Sequence, residues 1–426
     1  MALIDPLITY KTNAAQLLRN PDDAQALVNQ FSLLAQNTSV AVPPHLALMR
    51  RAVSLAPSRY EAAHNLGSAL MRAGQYKESL DVFTKALDLA PGSHKPEALH
   101  HVGMAWHDLG EFNEAIAWYD RAIEADPNDV ELRQSRAIAT LASGDLSGLF
   151  DFEVRWHKPA RKPIASSGIP RWQGEDLTGK TLIVAHEQGY GDSIHFCRII
   201  PQLKAKRVVL SGPVELTGLI ADNFKVDAVI DEAGPFYADY YASPMSAFGA
   251  MGIQYDQVCG QPYINAHKLN LPERGKIKVG LAWKGSPGYA QDANRSMTLE
   301  ALSPLFEIPG LAFYSLQVGE FAKDVAKLGL SGFIADLTPL IGDWRDTARA
   351  VAAMDVVVTV CTATAHLAAA MGKPTFIMIP FSPCWRWMRG RDTTPWYDSV
   401  RLFRQQVPGE WPYPVANVAS KLREML

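Results

Sequence analysis

The chain has 426 residues, of which 48% are apolar and 20% charged, with a formal net charge of -3. That length supports two or three domains with cores of their own, and the balance is that of an ordinary globular chain. It argues against a nucleic-acid or anionic-membrane partner, because both require clustered positive charge.

The amino-terminal run MALIDPLITYKTNAAQ carries Asp5 and Pro6 inside its apolar part and no basic leader, and no stretch of 18 uninterrupted apolar residues follows. Cys197, Cys259, Cys361 and Cys384 are widely spaced and lack C-x-x-C pairing, so neither a disulfide framework nor a zinc site is expected. A reducing, cytoplasmic location without a membrane span is the expectation.

Residues 60–91 and 96–127 repeat one pattern. Leu66-Gly67, Leu70, Gly74, Tyr76, Ser79, Phe83, Ala86 and Pro91 fall where the second copy has Val102-Gly103, Trp106, Gly110, Phe112, Ala115, Tyr119, Ala122 and Pro127. The pattern resembles tetratricopeptide repeats, whose period is about 34 residues. Small residues let two antiparallel helices approach, aromatics fill the grooves, and the proline ends the second helix. A degenerate repeat ending at Pro57 is expected before them, interrupted by Pro43-Pro44. Another, over Val130 to Trp156, is expected after them, so that a helical solenoid fills residues 1–156. Its concave surface suits an extended peptide or a partner protein; a purely structural role is the alternative.

From His157 to Thr178 the pattern lapses into a linker rich in Pro, Ser, Gly and basic residues. An α/β pattern then starts with TLIVA, a strand from Thr181. Gln188-Gly189-Tyr190-Gly191 reads as a turn in which Gly189 and Gly191 permit positive φ and close backbone approach. Asp192-Ser193 open a helix whose apolar stripe is Ile194, Phe196, Cys197 and Ile200. Asp192 is either a helix cap or a carboxylate held at the carboxyl edge of a sheet, where open α/β sheets bind ligands. A dinucleotide fingerprint is disfavoured, since Ile194 stands where glycine or alanine is needed. Further strands (RVVLSG, VDAVIDE) complete a first half over 179–272. KVGLAW, LAFYSLQ, VVVTV and TFIMIP, with helices over 299–306, 343–354 and 365–371, give a second half over 276–426. Two consecutive Rossmann-like halves imply a ligand cleft between them.

Cys361-Thr362-Ala363-Thr364 joins a strand to a helix N-terminus, where free N–H groups and hydroxyls favour a phosphate. His366 in the first turn is expected neutral, either as a hydrogen-bonding group or as a satisfied core histidine. Lys284 and Arg295, in the loop after KVGLAW, are either solvated or placed for a diphosphate. Arg386, Arg389 and Arg391 among Trp385, Trp387, Trp396 and Tyr397 could stack on and bind a nucleotide, but structural stacking is the favoured reading. No Walker loop, no Ser-His-Asp order and no histidine pair at metal spacing is present.

These motifs together resemble the bacterial tetratricopeptide-repeat glycosyltransferases, related to lipopolysaccharide heptosyltransferases and more distantly to O-linked N-acetylglucosamine transferases. The carrying segments are HEQGYGDSIHFCR, VGLAWKGSP with NRSMTLEAL, FYSLQVG, DWRDTARAVAAMDVVVTVCTATAHLAAAMGKP and PWYDSVRLFRQ. The resemblance implies a GT-B fold, no metal or other cofactor, and a sugar moved from a nucleotide-sugar donor to an acceptor. By the same resemblance the acceptor is expected to be a protein recruited by the repeats, such as flagellin or another surface protein. It implies Asp192 as general base and Lys284, Arg295, Gln317, Thr362, Thr364 and His366 as donor contacts. Two departures stand out: Cys361 replaces the usual aspartate or polar residue, and His186 stands where glycine is common. A thiol at a helix N-terminus is expected to have a lowered pKa. The rival reading is a scaffold whose transferase region only binds.

Overall fold

The computed structural model describes residues 6–37, 43–157, 164, 167–232, 234–272, 275–289 and 292–426. Part of the expected linker (158–163 and 165–166) and the first five residues lie outside them. The chain divides into two compact units, Met1–Ser143 and Gly144–Leu426.

The first unit is helical: α1 Pro6–Arg19, α2 Ala24–Asn37, α3 Pro43–Leu55, α4 Tyr60–Arg72, α5 Tyr76–Leu89, α6 Lys95–Leu109, α7 Phe112–Ala125 and α8 Val130–Ala142. Within a repeat the first helix supplies a glycine and the second a ring that lies on it. A Cβ on Gly67 would meet the Phe83 ring at 2.6 Å, and one on Gly103 the Tyr119 ring at 2.6 Å. Ser79 Oγ donates to the Gly67 carbonyl at 2.8 Å, tying the same helix pair together. Tyr60, Phe83, Leu87, Leu99, Val102 and Leu132 then form one buried cluster running through two helix pairs and into α8.

Two expectations are corrected here. Pro43-Pro44 open α3 instead of interrupting a helix, which suits proline because first-turn N–H groups lack partners anyway. The final repeat stops after its first helix, because the segment that should supply the second forms only a short helix, α9 Gly148–Asp151, and a 3₁₀ turn over Phe152–His157. That turn is committed to the second unit. Arg155 is fully buried and donates to both carboxylate oxygens of Glu187, each at 2.7 Å, and to Ser246 Oγ at 2.8 Å.

The second unit holds two wholly parallel sheets. The first has the order β3-β2-β1-β4, with β1 Thr181–Ala185, β2 Arg207–Ser211, β3 Ala228–Ile230 and β4 Tyr240–Ala242. Helices α10 Tyr190–Phe196, α11 Val214–Asn223 and α12 Pro244–Ala250 accompany it. The part of the expected linker that is described is drawn onto this sheet: Arg171 bridges to Tyr241, and Trp172 and Leu177 are buried. The second sheet has the order β10-β9-β8-β5-β6-β7. Its strands are β5 Ile277–Ala282, β6 Leu311–Ser315, β7 Ile334–Asp336, β8 Val356–Val360, β9 Thr375–Ile379 and β10 Val400–Arg404. Helices α13 Asp292–Arg295, α14 Ser303–Phe306, α15 Asp324–Lys327, α16 Trp344–Ala352, α17 Ala363–Ala370 and α18 Pro412–Glu424 complete it. Its core joins Val279, Leu281, Phe313, Val356, Val358 and Met378 to Val415, Val418 and Leu422 of α18.

Strand order reverses between β1 and β4 in one sheet and between β5 and β8 in the other. A parallel sheet leaves a crevice at such a point, outside the carboxyl ends of its strands.

Candidate functional site

A cleft of about 1180 Å³ lies between the two parallel sheets, lined from the loops that leave β1, β5, β6, β8 and β9. Every residue singled out from the sequence borders it: His186, Gly189, Gly191, Asp192, Lys284, Arg295, Gln317, Cys361, Thr362, Thr364 and His366.

The β1 turn carries Asp192 at the third position of α10. One carboxylate oxygen accepts from the Gly189 N–H at 3.2 Å and so caps the helix. The other pairs with Arg386, a residue only 7% exposed. Asp192 is thus both the cap and a charged group of the cleft. The glycines act differently from expectation: the left-handed residue of the turn is Gln188, at φ 61°, and neither Gly189 nor Gly191 has positive φ. Gly191 serves close approach, since a Cβ there would lie 3.3 Å from Ala363 Cα and 3.2 Å from His366 Cδ2. His186 Nδ1 is 2.7 Å from Ser193 Oγ, bracing the strand end against α10.

The β8 turn leads into α17. Thr362 is its N-cap and faces inward, 3.2 Å from Thr359 Oγ1, while Thr364 and the first turn of α17 border the cleft. His366 Nδ1 is 2.9 Å from Tyr397 Oη, which is itself 2.7 Å from His195 Nδ1, and the His366 ring stacks on Trp387 at 5.0 Å. A hydroxyl with one proton between two imidazoles donates to one and accepts from the other, so the three groups form a polarised chain. Burial, reinforced by Arg386, Arg198 and Arg295, holds His366 well below 6.5 and hence neutral. Neutrality was expected, but burial, not the helix dipole, is its leading cause.

Cys361 departs from expectation. Its thiol is buried and pushed up to about 11, first by burial and then by Cys384, despite the pull of Arg295, the Trp387 indole and Arg386. Its sulfur accepts from Trp387 Nε1 at 2.9 Å, so it packs as a neutral group.

Gln317 is a clamp. Its Oε1 accepts from the Trp283 and Lys284 N–H groups, both at 3.0 Å, and its amide nitrogen donates to the Lys284 and Val318 carbonyls at 3.2 and 3.3 Å. That uses the whole amide to lock the β5 and β6 loops together and to set the direction of Lys284, whose ammonium lies 4.2 Å from the Phe321 ring centroid. Arg295 is held by Asp292 at 2.9 Å and by the Tyr289 ring at 4.5 Å. Gly285 makes room for that pair, because a Cβ there would strike both Asp292 and Arg295.

Arg386 is the site residue that sequence reasoning assigned to structure. It does stack, 4.5 Å from the Trp385 ring and 5.5 Å from that of Phe196, yet its head reaches Asp192 and Cys384. Its Nε is buried without a hydrogen-bond partner. Burial opposes its charge, and Asp192, with the hydrogen bond to Cys384, more than offsets that. Arg389 and Arg391 are the structural arginines expected, bonding Phe381 and Thr393. Glu215, Glu232, Glu320 and Asp343 also border the cleft, so its positive character is local to Lys284, Arg295 and Arg386.

Taken together, the molecule has a repeat-built helical unit and an α/β unit whose cleft gathers Asp192, a helix N-terminus and three cations. Residues 58–128 match the tetratricopeptide-repeat family. The chain is similar to Protein FlbA of Caulobacter vibrioides, with 29% identity over 98% of this chain and 76% of that one. Solved structures that match the helical part include MamA, at 19% identity and TM-score 0.30 over 35% of this chain and 85% of MamA. Another is YrrB, described as a TPR protein with an unusual peptide-binding site, at 24% identity and TM-score 0.29 over 35% and 76% of the two chains. No helix among the described residues is long and apolar enough to cross a membrane.

Proposed function

We propose that the second unit is a GT-B glycosyltransferase that moves a sugar from a nucleotide-sugar donor to a protein or peptide acceptor recruited by the repeats. The observation that carries the reading is the meeting of Asp192, from one parallel sheet, with the α17 N-terminus, Lys284 and Arg295, from the other, in a single cleft. In this reading the acceptor hydroxyl gives its proton to Asp192 as its oxygen bonds the anomeric carbon. The bond from that carbon to the diphosphate breaks, and the nucleoside diphosphate leaves with the electron pair. Free N–H groups of α17, the Thr364 hydroxyl and the cations stabilise the leaving charge. Arg386 exchanges Asp192 for the diphosphate as the donor enters, releasing the carboxylate to act as base. The chemistry needs no metal ion. Four free cysteines are consistent with a reducing, cytoplasmic setting.

A second reading has its own support: Asp192 is tied to Arg386 and Cys361 is a neutral thiol, which suits a scaffold that only binds. Asp192→Asn separates them, because the amide keeps an oxygen for the helix cap but is a far weaker base than a carboxylate. Under the transferase reading it retains donor affinity and loses at least about a hundredfold in transfer, the lower range of a general base's contribution. Equal turnover by the variant removes Asp192 from the mechanism.

A further inference from the structure

The repeats bring together three side chains that have nothing to do with the cleft. His64 on α4 and His101 on α6 come from successive repeats, and their facing nitrogens, His64 Nε2 and His101 Nδ1, are 3.4 Å apart. Glu97, one turn before His101 on α6, places a carboxylate oxygen 3.7 Å from His64 Nε2. One ligand atom from each of the three lies within 4.8 Å of those of the other two. Two ligands bound at about 2.05 Å to a tetrahedral ion stand about 3.4 Å apart, so the imidazole pair already has the spacing of a chelate.

We propose that His64, Glu97 and His101 form a binding site for a divalent transition ion of the zinc class, spanning the first helices of two adjacent repeats. Three protein ligands of mixed nitrogen and oxygen type leave a tetrahedral ion one open position. The chemistry of the surroundings fits. Both imidazoles are held neutral by burial, His101 down to about 3, and a neutral ring is the ligating form. Glu97, His94 and Asn65 act on His64, and His64 and His100 act on His101. The Tyr60 hydroxyl donates to the second oxygen of Glu97 at 3.4 Å and so orients the carboxylate from behind. His101 Nδ1 also lies 2.8 Å from the Glu97 carbonyl, so ligation through Nδ1 moves the ring proton to Nε2 without changing the net proton count. Sequence spacing hides the site, because the histidines are separated by a whole repeat and only Glu97 and His101 share a helix face.

The test is titration of the tag-free full chain, freed of metal by chelator, with Zn²⁺ and with Co²⁺. One equivalent is expected, with the intense visible absorption of low-coordinate Co²⁺ and no thiolate charge-transfer band. Glu97→Gln changes an exposed residue and leaves the fold intact, and it is expected to weaken binding at least about tenfold, as even outer-shell changes do at metal sites. His64→Gln is expected to weaken it further, while His267→Ala leaves it unchanged. Absence of saturable binding, a thiolate band, or affinity unchanged in both Glu97→Gln and His64→Gln overturns the proposal.

Discussion

Asp192 and His366 reach the cleft from opposite sheets, and each combines a structural duty with a place in the cleft lining. Asp192 caps α10 through one oxygen and meets Arg386 through the other. His366 is fixed on one side by Tyr397 and Trp387, and its Cδ2 edge packs closely against Gly191. If the ring contributes to the donor site, His366→Ala reduces donor affinity at least about tenfold, or about 1.4 kcal/mol. Unchanged affinity in isothermal titration identifies it as a core group. That Asp192, Thr364 and His366 border the cleft was legible from the sequence, because in both places strand, short turn and helix follow one another so closely that the cleft side of the turn is dictated locally. Arg386 was not, since its aromatic neighbours are visible in the chain and its partner, 194 residues away, is not. Gln317 is a donor contact by resemblance alone, and its four hydrogen bonds give the amide a positioning task at the cleft as well.

At the scale of elements, the repeats owe their close helix pairs to glycine. Gly103→Ala gains up to about 1 kcal/mol in helix propensity, but its methyl enters the Tyr119 ring, and overpacking of that kind costs about 1–3 kcal/mol. The net expectation is a less stable helical unit, read as a lower melting temperature; an unchanged or higher one means that the ring yields freely. Repeats 60–91 and 96–127 were legible because small and aromatic residues recur in register, and so were the strands Thr181–Ala185, Arg207–Ser211 and Val356–Val360, buried on both faces. Three short or less apolar strands escaped notice: Tyr240–Ala242, Ile334–Asp336 and Val400–Arg404, of which two have three residues and the last carries two arginines. The lost final helix of the repeats is a tertiary effect, set by Arg155 finding Glu187.

For the α/β unit as a whole, the His195–Tyr397–His366 chain links the first-sheet helix α10 to the second sheet and makes stability depend on pH. Burial, followed by Arg198, His366 and Arg386, holds His195 well below 6.5; burial, followed by Arg386, Arg198 and Arg295, does the same for His366. In the unfolded chain both titrate near 6.5, so below that pH the unfolded state binds more protons than the folded one. The stabilisation is therefore complete above 6.5 and is lost as pH falls towards the folded values. Denaturant midpoints should drop between about pH 7 and about pH 5, with a slope approaching 1.4 kcal/mol per pH unit for each histidine. A profile flat over that range contradicts the assignment of two neutral buried imidazoles.

Thermal unfolding of the full chain against a panel of UDP-, GDP-, ADP-, dTDP- and CMP-sugars asks whether the cleft takes a nucleotide-sugar. A donor at 100 times its dissociation constant adds about 2.7 kcal/mol, a shift of several degrees for a unit of this size. One nucleotide class is expected to raise the transition of the α/β unit, and Lys284→Ala combined with Arg295→Ala to abolish the shift. A flat panel, or a shift that survives the loss of both cations, contradicts that expectation.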